Sequence, residues 1–545
     1  MTLAEELRPL LAGDVRDDEE TIREMSRDAS LFEVRPKVVV YPRSVEDLKR
    51  LVRFVARERE KGRDLALTPR AGGSDMSGGP LGDSIIVNVT RYLNRLIELG
   101  EGYAVVEPGL YYRDFERATL ERGYLLPCYT ASKELNTLGG MVGNNSAGEK
   151  TLSYGKTDRY VEELSVVLAD GEEYTMKPLT RAELDRKMRL DSFEGRVYRD
   201  LYALVSDNRE RIAAARPNVA KNSAGYALWN VWDATTFNPA QLIVGSQGTL
   251  GIVTRIRLFL VKPAGHAKML TIFLKDLAPL PAVVNAVLAE RPESFESYDD
   301  YTLKLAVRFL PELVALMKAK SVFSLLLRFL PELGMILSSG VPKLVLIAEF
   351  TGESDEEALE KAKRSAAALA PLGVPTRVTR DAREAEKYWV VRRESFNLLR
   401  KHLRGKRTAP FIDDIVVRPE FLPEFLPRLR AILEEYRIIY TVAGHIGDGN
   451  FHIIPLMDMR DPKTRRIIPE LSDRVYDLVL EYKGSITGEH NDGIIRTPYL
   501  RRMYGEKVCK LFEEVKRIFD PQNIMNPGKK VGGTLEYAVT HFVTE

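Results

Sequence analysis

The sequence predicts an α+β protein built from two or three domains, and three observations lead to that class. The chain has 545 residues, more than a single hydrophobic core usually organises. Its first half alternates short apolar runs with amphipathic helix patterns and glycine-rich turns. Its second half repeats strand–helix patterning in an antiparallel, ferredoxin-like style and then ends in a helical stretch.

Residues 1–31 read as an N-terminal helical extension. Pro42-Arg43-Ser44 then introduces a helix, with Ser44 as N-cap and Asp47 at N3. Leu48, Leu51, Val52 and Val55 follow at i, i+3, i+4 and i+7, one apolar helix face. Residues 65–68 form a short strand entering a glycine loop, 84–89 a second strand and 109–122 a helix. Residues 164–168 form a strand ended by the Asp170-Gly171 turn. The apolar segments 242–244 and 252–261 close this region, and a boundary at Pro263-Ala264-Gly265 gives a first domain over 32–264.

A second domain is expected over 265–481. Residues 269–274 and 344–350 read as strands, each followed by a helix, and Ser354-Asp355-Glu356-Glu357 fits a capping box. Between them, residues 301–340 form a Leu- and Phe-rich helical insertion in which RFLPEL occurs at 308–313 and again at 328–333. Two copies do not make a repeat protein. A helical hairpin within the domain is the preferred reading, and an amphipathic surface for a membrane or partner is the alternative. A C-terminal segment over 482–545 carries Pro527-Gly528 as a stop after a helix.

Composition narrows the function classes. Lys+Arg total 80 against 78 Asp+Glu, so the chain lacks the basic excess that steers proteins to nucleic acid. Cys128 and Cys509 are the two cysteines. They form no C-x-x-C pair, cannot hold an iron–sulfur cluster by themselves, and suit a reducing compartment. The acidic start MTLAEELRPLLAGD lacks the basic and apolar regions of a secretory signal. No stretch of about 18 apolar residues is free of charge, so no transmembrane helix is expected. A cytoplasmic location follows as an expectation, with peripheral contact at the inner face of a membrane left open.

Three small-residue segments carry the first chemical signal. Residues 69–79 run Pro69, Arg70, Ala71, Gly72, Gly73, Ser74, Asp75, Met76, Ser77, Gly78 and Gly79. Glycines turn tightly and bring N–H groups close to an anion, and Ser74 and Ser77 add hydroxyl donors. Residues 137–148 include Thr137, Leu138, Gly139, Gly140, Asn144, Ser146 and Gly148, and Tyr154-Gly155 follow. Residues 245–253 run from Gly245 through Gly251, Ile252 and Val253. Together they suggest a long ligand bearing phosphates and rings. Two rival motifs fail: no G-x-G-x-x-G opens a helix after a strand, and Glu149 stands where a P-loop needs lysine.

In order and spacing, the three segments resemble the FAD-binding domain of the PCMH-type, vanillyl-alcohol-oxidase flavoproteins. The resemblance implies that FAD is held by residues 70–78, Thr137, Leu138, Gly139, Gly140, Asn144, Ser146, Gly148, Tyr154, Gly155, Ile252 and Val253. Some members attach FAD through a loop histidine. The loop here has none, so noncovalent FAD is expected.

The second signal is a histidine constellation. Gly444-His445-Ile446-Gly447-Asp448-Gly449-Asn450-Phe451-His452 is followed by Gly488-Glu489-His490-Asn491-Asp492-Gly493. Positions seven apart on one straight strand face opposite sides, but residues 447–449 can reverse the chain and let His445 and His452 converge. Two imidazoles and the Glu489 carboxylate suit a divalent cation such as Zn²⁺ or Mn²⁺. The residues alone leave metal binding and structural packing both open.

These motifs are similar to the paired signatures of the D-lactate and D-2-hydroxyglutarate dehydrogenases, the FAD-linked oxidase branch that includes glycolate oxidase GlcD. The resemblance implies His445, His452 and Glu489 as metal ligands, His490 as the base that takes the substrate hydroxyl proton, and Asn450 as a substrate contact. Trp389-Val390-Val391-Arg392 resembles the W-x-x-R element and makes Arg392 the clamp for a substrate carboxylate, with neighbouring Arg393 the alternative. The implied reaction converts a small D-2-hydroxy acid to the 2-oxo acid, with hydride passing to flavin N5 and a metal polarising the hydroxyl. Many relatives read EHG where this chain reads EHND, as in a subgroup with an iron–sulfur region. A separate iron–sulfur subunit, an electron-transfer flavoprotein or a quinone is the expected class of acceptor, and a homodimer is compatible. Alternatives are oxidation of another alcohol or a lactone, or a flavin-carrying subunit of a larger redox complex.

Overall fold

The computed structural model describes residues 1–300, 302–304, 340–402 and 405–544. The expected helical insertion lies almost wholly outside the described residues. Three sheets carry the rest, with four, five and eight strands.

The four-stranded sheet orders Asp14–Arg16, Val38–Tyr41, Ile85–Asn88 and Leu67–Arg70. The last three are mutually parallel. Both Val38–Tyr41 and Ile85–Asn88 are buried along their whole length, the run expected of a parallel strand covered on both faces. One cover is the helix Val45–Glu60, whose Leu48, Leu51, Val52 and Val55 are fully buried against Val38, Val40, Leu67 and Val87. Ser44 caps it by accepting from the Asp47 N–H. The Asp47 carboxylate reaches back to the N–H groups of Ala12, Gly13 and Arg43. The other cover is the helix Glu19–Met25, with Ile22 and Met25 on Val39 and Ile86. Residues 1–31 are thus more than a helical extension, because Asp14–Arg16 also adds an antiparallel edge strand.

The five-stranded sheet is antiparallel: Leu96–Gly100, Tyr103–Val106, Ile252–Phe259, Val161–Val167 and Glu173–Met176. Of the two closing apolar segments, only the second is a strand. Residues 242–244 instead fall at the end of the short helix Ala240–Ile243. A buried apolar run of that length fits either state, and periodicity alone cannot separate them.

The eight-stranded sheet begins at His266–Leu274, soon after Phe259 ends the preceding strand. Its path is Thr376–Val378, His266–Leu274, Leu344–Gly352, Ser294–Asp299, Ile439–His445, Asn450–Met457 and Arg407–Thr408, and Ile415–Val416 also pairs with Asn450–Met457. Every pairing is antiparallel. The helices Leu280–Ala289 and Asp355–Leu369 follow their strands, and Ser354 caps the second.

The C-terminal segment comes back to the start of the chain. After the helical stretch Leu500–Phe519, which is broken by a kink at Gly505, Met525 bridges to Leu67, and the Asn526 amide donates to the carbonyls of Gly79 and Gln247. Lys530 is fully buried; it pairs with Asp492 at 2.9 Å and donates to the carbonyls of Ser223 and Gly225. Replacing one partner of such a pair strands the other charge. Lys530→Met is expected to cost about 3–5 kcal/mol, read as a lowered midpoint in urea unfolding followed by far-UV circular dichroism.

Candidate active site

A cavity of about 940 Å³ lies where the three sheets and the C-terminal segment meet. Residues 69–76 line it together with Gly79, Thr137, Gly139, Gly140, Asn144, Ser146 and Gly148, and the third segment adds Ser246, Gln247, Ile252 and Val253. The three small-residue segments therefore form one wall, and two side chains knit them. Asp75 accepts from the N–H of Ser77 and Gly79 and from the Asn144 amide at 2.7 Å. The Gln247 amide donates to Ser77 Oγ and Asn144 Oδ1, and its carbonyl accepts the Gly493 N–H.

Glycine matters here for two different reasons. Gly73 has φ +67°, which a side chain would strain. Gly140 lacks that strain: a Cβ would sit 3.6 Å from its nearest neighbours, in space left open beside the cavity. A backbone cradle of this size suits a dinucleotide's phosphates. Other expected residues stand behind the wall rather than in it. Ser77 bonds to Asp75 and Gln247, Gly78 packs on Phe32 and Ile494, and Leu138 is core. Tyr154 donates to Glu293, and Gly155 packs on Arg159.

His445, His452, Glu489 and His490 line the same cavity, and Arg392 and Arg393 lie on its wall. The hairpin explains the histidines. Strand Ile439–His445 pairs with Asn450–Met457 in a register that sets His445 opposite Asn450 and Ala443 opposite His452. His445 and His452 therefore share a face, with ring centroids 5.2 Å apart. His452 and His490 stack at 5.0 Å.

Each imidazole is anchored through Nδ1 to a buried carboxylate. His445 meets Glu296 at 2.5 Å, His452 meets Asp413 Oδ1 at 3.1 Å, and His490 meets Asp413 Oδ2 at 2.6 Å. This leaves each Nε2 for a second partner, the arrangement typical of metal-ligating histidines. His445 Nε2 lies 3.1 Å from Glu489 Oε1, the separation of two donors that each sit about 2.0–2.2 Å from a shared cation. Donor atoms of Asp414, His452, Glu489 and His490 fall within 4.8 Å of one another. The donor set therefore fits a divalent cation.

Charges continue beyond the imidazoles. Glu489 Oε1 is 2.5 Å from Lys221 Nζ, which also meets Asp448 at 3.1 Å, and Glu296 Oε2 is 3.1 Å from Arg392. Burial alone would raise the Glu489 carboxyl, but Lys221 and His445 pull it well below the carboxylate range. Burial alone would lower His445 and His490. Glu296 outweighs it at His445, Asp413 and Asp414 outweigh it at His490, and both imidazoles rise to about 9. Arg392 keeps a buried Nε without a hydrogen-bond partner. Arg393 is engaged elsewhere, paired with Glu149 and lying over the Trp389 ring. Asn450 is fully buried and does not line the cavity, donating to Asp414 Oδ1 and the Ile415 carbonyl.

Comparison with known proteins gives two family matches. Residues 36–177 match the FAD binding domain, and residues 265–530 match the FAD linked oxidases, C-terminal domain. The chain belongs to the FAD-linked oxidases. Its relatives include the D-2-hydroxyglutarate dehydrogenase of Escherichia coli, 30% identical over 93% of this chain and 49% of that protein. The chain thus spans about half the length of that relative. The D-lactate dehydrogenase of Anaerostipes hadrus is 24% identical over 95% of this chain and 94% of that protein. Glycolate oxidase subunit GlcD of Bacillus subtilis is 26% identical over 91% and 89%. Among solved structures, p-cresol methylhydroxylase shares the fold, with a TM-score of 0.69 at 16% identity, covering 98% of this chain and 96% of that one. The PCMH-type α+β fold expected from the sequence is therefore the one found.

Within this FAD-linked oxidase, the departure at Asn491-Asp492 has a structural account. The Asn491 amide donates to the carbonyls of Asn144 and Gly245, and Asp492 accepts the Gly225 N–H and pairs with Lys530. Asn491 ties the histidine segment to the cofactor cradle, and Asp492 ties it to Gly225 and the C-terminal segment. Glu296, Lys221, Asp413 and Asp414 carry no motif and are missing from the sequence reading. For the aspartates a signal existed: two carboxylates inside the apolar run 411–417, which burial tolerates only when they are partnered. Among the described residues, no helix is long and apolar enough to cross a membrane.

Filling the cradle tests it directly. Gly140→Val is expected to leave the fold intact and weaken FAD at least about tenfold, roughly 1.4 kcal/mol, measured as flavin absorbance per protein after dialysis against graded FAD.

Proposed function

We propose that this chain is an FAD-dependent dehydrogenase that oxidises a D-2-hydroxy acid, of the D-lactate or D-2-hydroxyglutarate class, to the 2-oxo acid. The observation that carries the reading is the anchored triad of imidazoles with Glu489, open to the same cavity as the glycine cradle. FAD, held noncovalently by the residues of that cradle, supplies the hydride acceptor when bound. A divalent cation, Zn²⁺ or Mn²⁺, supplies Lewis acidity toward the substrate hydroxyl when held by His445, His452 and Glu489.

The chain's own residues do the rest. Arg392, on the cavity wall, provides the guanidinium for the substrate carboxylate, a charge-assisted contact. Asp413 holds His490 by Nδ1 and so presents Nε2 of the neutral imidazole as the atom that takes the hydroxyl proton. Asp413 also holds His452, so one carboxylate orients a ligand and the base together. Asn450 braces the segment that carries Asp413 and Asp414, through its bonds to Asp414 Oδ1 and the Ile415 carbonyl. An iron–sulfur protein, an electron-transfer flavoprotein or a quinone is the class of electron acceptor that suits this reaction.

The decisive measurement is anaerobic bleaching of bound flavin by a panel of D- and L-2-hydroxy acids, with and without chelator. Bleaching by D-acids that chelator suppresses is expected; bleaching by other alcohols or lactones alone would overturn the reading. His490→Ala should slow flavin reduction by about 10²–10⁴-fold while the flavin spectrum stays intact. Arg392→Met should raise KM for the hydroxy acid by about tenfold or more, the loss of one charged hydrogen bond of about 1.5–3 kcal/mol, in steady-state assays with an artificial acceptor.

A further inference from the structure

Asp414 belongs to no motif and does not line the cavity, yet it touches more of the catalytic segment than any residue in it. Its Oδ2 accepts from Thr487 Oγ1 at 2.6 Å and from three successive backbone N–H groups: Gly488 at 2.9 Å, Glu489 at 2.8 Å and His490 at 2.7 Å. Successive N–H groups converging on one anion form a nest. Its Oδ1 accepts from the Asn450 amide at 3.0 Å. The Asp414 carbonyl also accepts the Gly488 N–H at 2.9 Å.

The backbone at Asp414 has φ +68°, a left-handed conformation that aspartate tolerates better than most residues. This turn sends two neighbouring carboxylates to different duties. Asp413 meets the imidazoles of His452 and His490, and Asp414 meets the main chain that carries Glu489 and His490.

We propose that Asp414 is a positioning residue for the reaction: its carboxylate fixes the main chain of Glu489 and His490 against the histidine hairpin, without touching substrate or ligating a metal. The inference rests on the functional reading above for what those two residues do. Proximity alone would also allow Asp414 as a ligand, because its carboxylate lies within 4.8 Å of the donors of His452, Glu489 and His490. Bonding decides against that role. Oδ2 already serves four donors and Oδ1 serves Asn450. Moving the carboxylate to a cation would leave those buried N–H groups without partners. Its value lies in geometry, since misplacing a reacting group by about 1 Å costs on the order of 10²-fold in rate.

The test uses the full chain with FAD and compares Asp414→Asn, Thr487→Val and Glu489→Gln with the wild type. Asparagine keeps the shape but sets an amide N–H₂ against donors whichever way it turns. Thr487→Val removes a single donor and keeps the carboxylate, so it serves if the first variant does not fold. Three readouts are taken: amide hydrogen exchange at 488–490, Zn²⁺ or Mn²⁺ bound per chain, and the rate of anaerobic flavin reduction at saturating D-2-hydroxy acid. In Asp414→Asn, faster exchange at 488–490, retained metal and a limiting rate lowered about 10²-fold are expected, with the FAD spectrum unchanged. Thr487→Val should show the same pattern to a smaller degree. Metal lost from Asp414→Asn as completely as from Glu489→Gln would make Asp414 a ligand and overturn the proposal. A wild-type limiting rate despite faster exchange would overturn it too. If no hydroxy acid reduces the wild-type flavin, the functional reading fails instead, and exchange and metal retention still decide whether Asp414 fixes the segment.

Discussion

Glu489 carries its charge where water scarcely reaches, and the organisation of the site follows from answering that charge. A buried carboxylate is tolerated only when paired and hydrogen-bonded. The answer comes from distant parts of the chain: Lys221 from the helix-rich stretch before the five-stranded sheet closes, and His445 from the hairpin of the eight-stranded sheet. His445 is answered in turn by Glu296, and Glu296 by Arg392. Each step recruits another element, so the line of alternating charge from Asp448 to Arg392 also records which segments must dock together. Stability and function are hard to separate in such an arrangement, because the groups available for chemistry are the same ones that satisfy one another.

The cradle and the histidines are likewise one construction. Asn491 and Gly493 flank Asp492, and they bond to the second and third small-residue segments, so the residues beside His490 are fastened to the wall expected to hold the flavin. Asn526 and Lys529 bring the C-terminal segment onto the loop that follows residues 69–79. Hydride transfer requires that the reacting carbon, the base and the flavin keep a fixed relation. Here that relation is maintained by bonds between backbone groups and the side chains of Asn491, Gln247, Asn526 and Lys529.

Much of the site was legible in the sequence because its chemistry concentrates in short motifs. The small-residue segments, His445, His452, Glu489 and His490 could be named from spacing and residue type, and they do face one cavity. What was not legible is what lies behind them. Glu296 sits in a strand whose pattern is ordinary, and Lys221 lies in a stretch without periodicity; only long-range pairing gives either a role. Tyr154, Leu138 and Asn450 show the reverse case. Their types suit a binding wall, but each is drawn away by a local partner that composition does not reveal: Glu293, the apolar core and Asp414. The strand at 84–89 was readable because burial on both faces leaves a continuous apolar run, whereas Asp14–Arg16 and Val38–Tyr41 were not among the expected strands. The short segment at 242–244 was not, because three residues carry no period.

The hairpin that carries His445 and His452 imposes a parity rule on the motif. Side chains alternate strictly along a strand, so the two imidazoles meet only while the 3-10 turn Ile446–Asp448 and Gly449 keep His445 opposite Asn450. A one-residue slip of that register would turn one ring to the far side of the sheet while leaving both histidines in the sequence. Drift in this loop is thus quantised. A chain can retain every chemically recognisable letter of the motif and still have no site, which makes the interval between the histidines as informative as the histidines themselves.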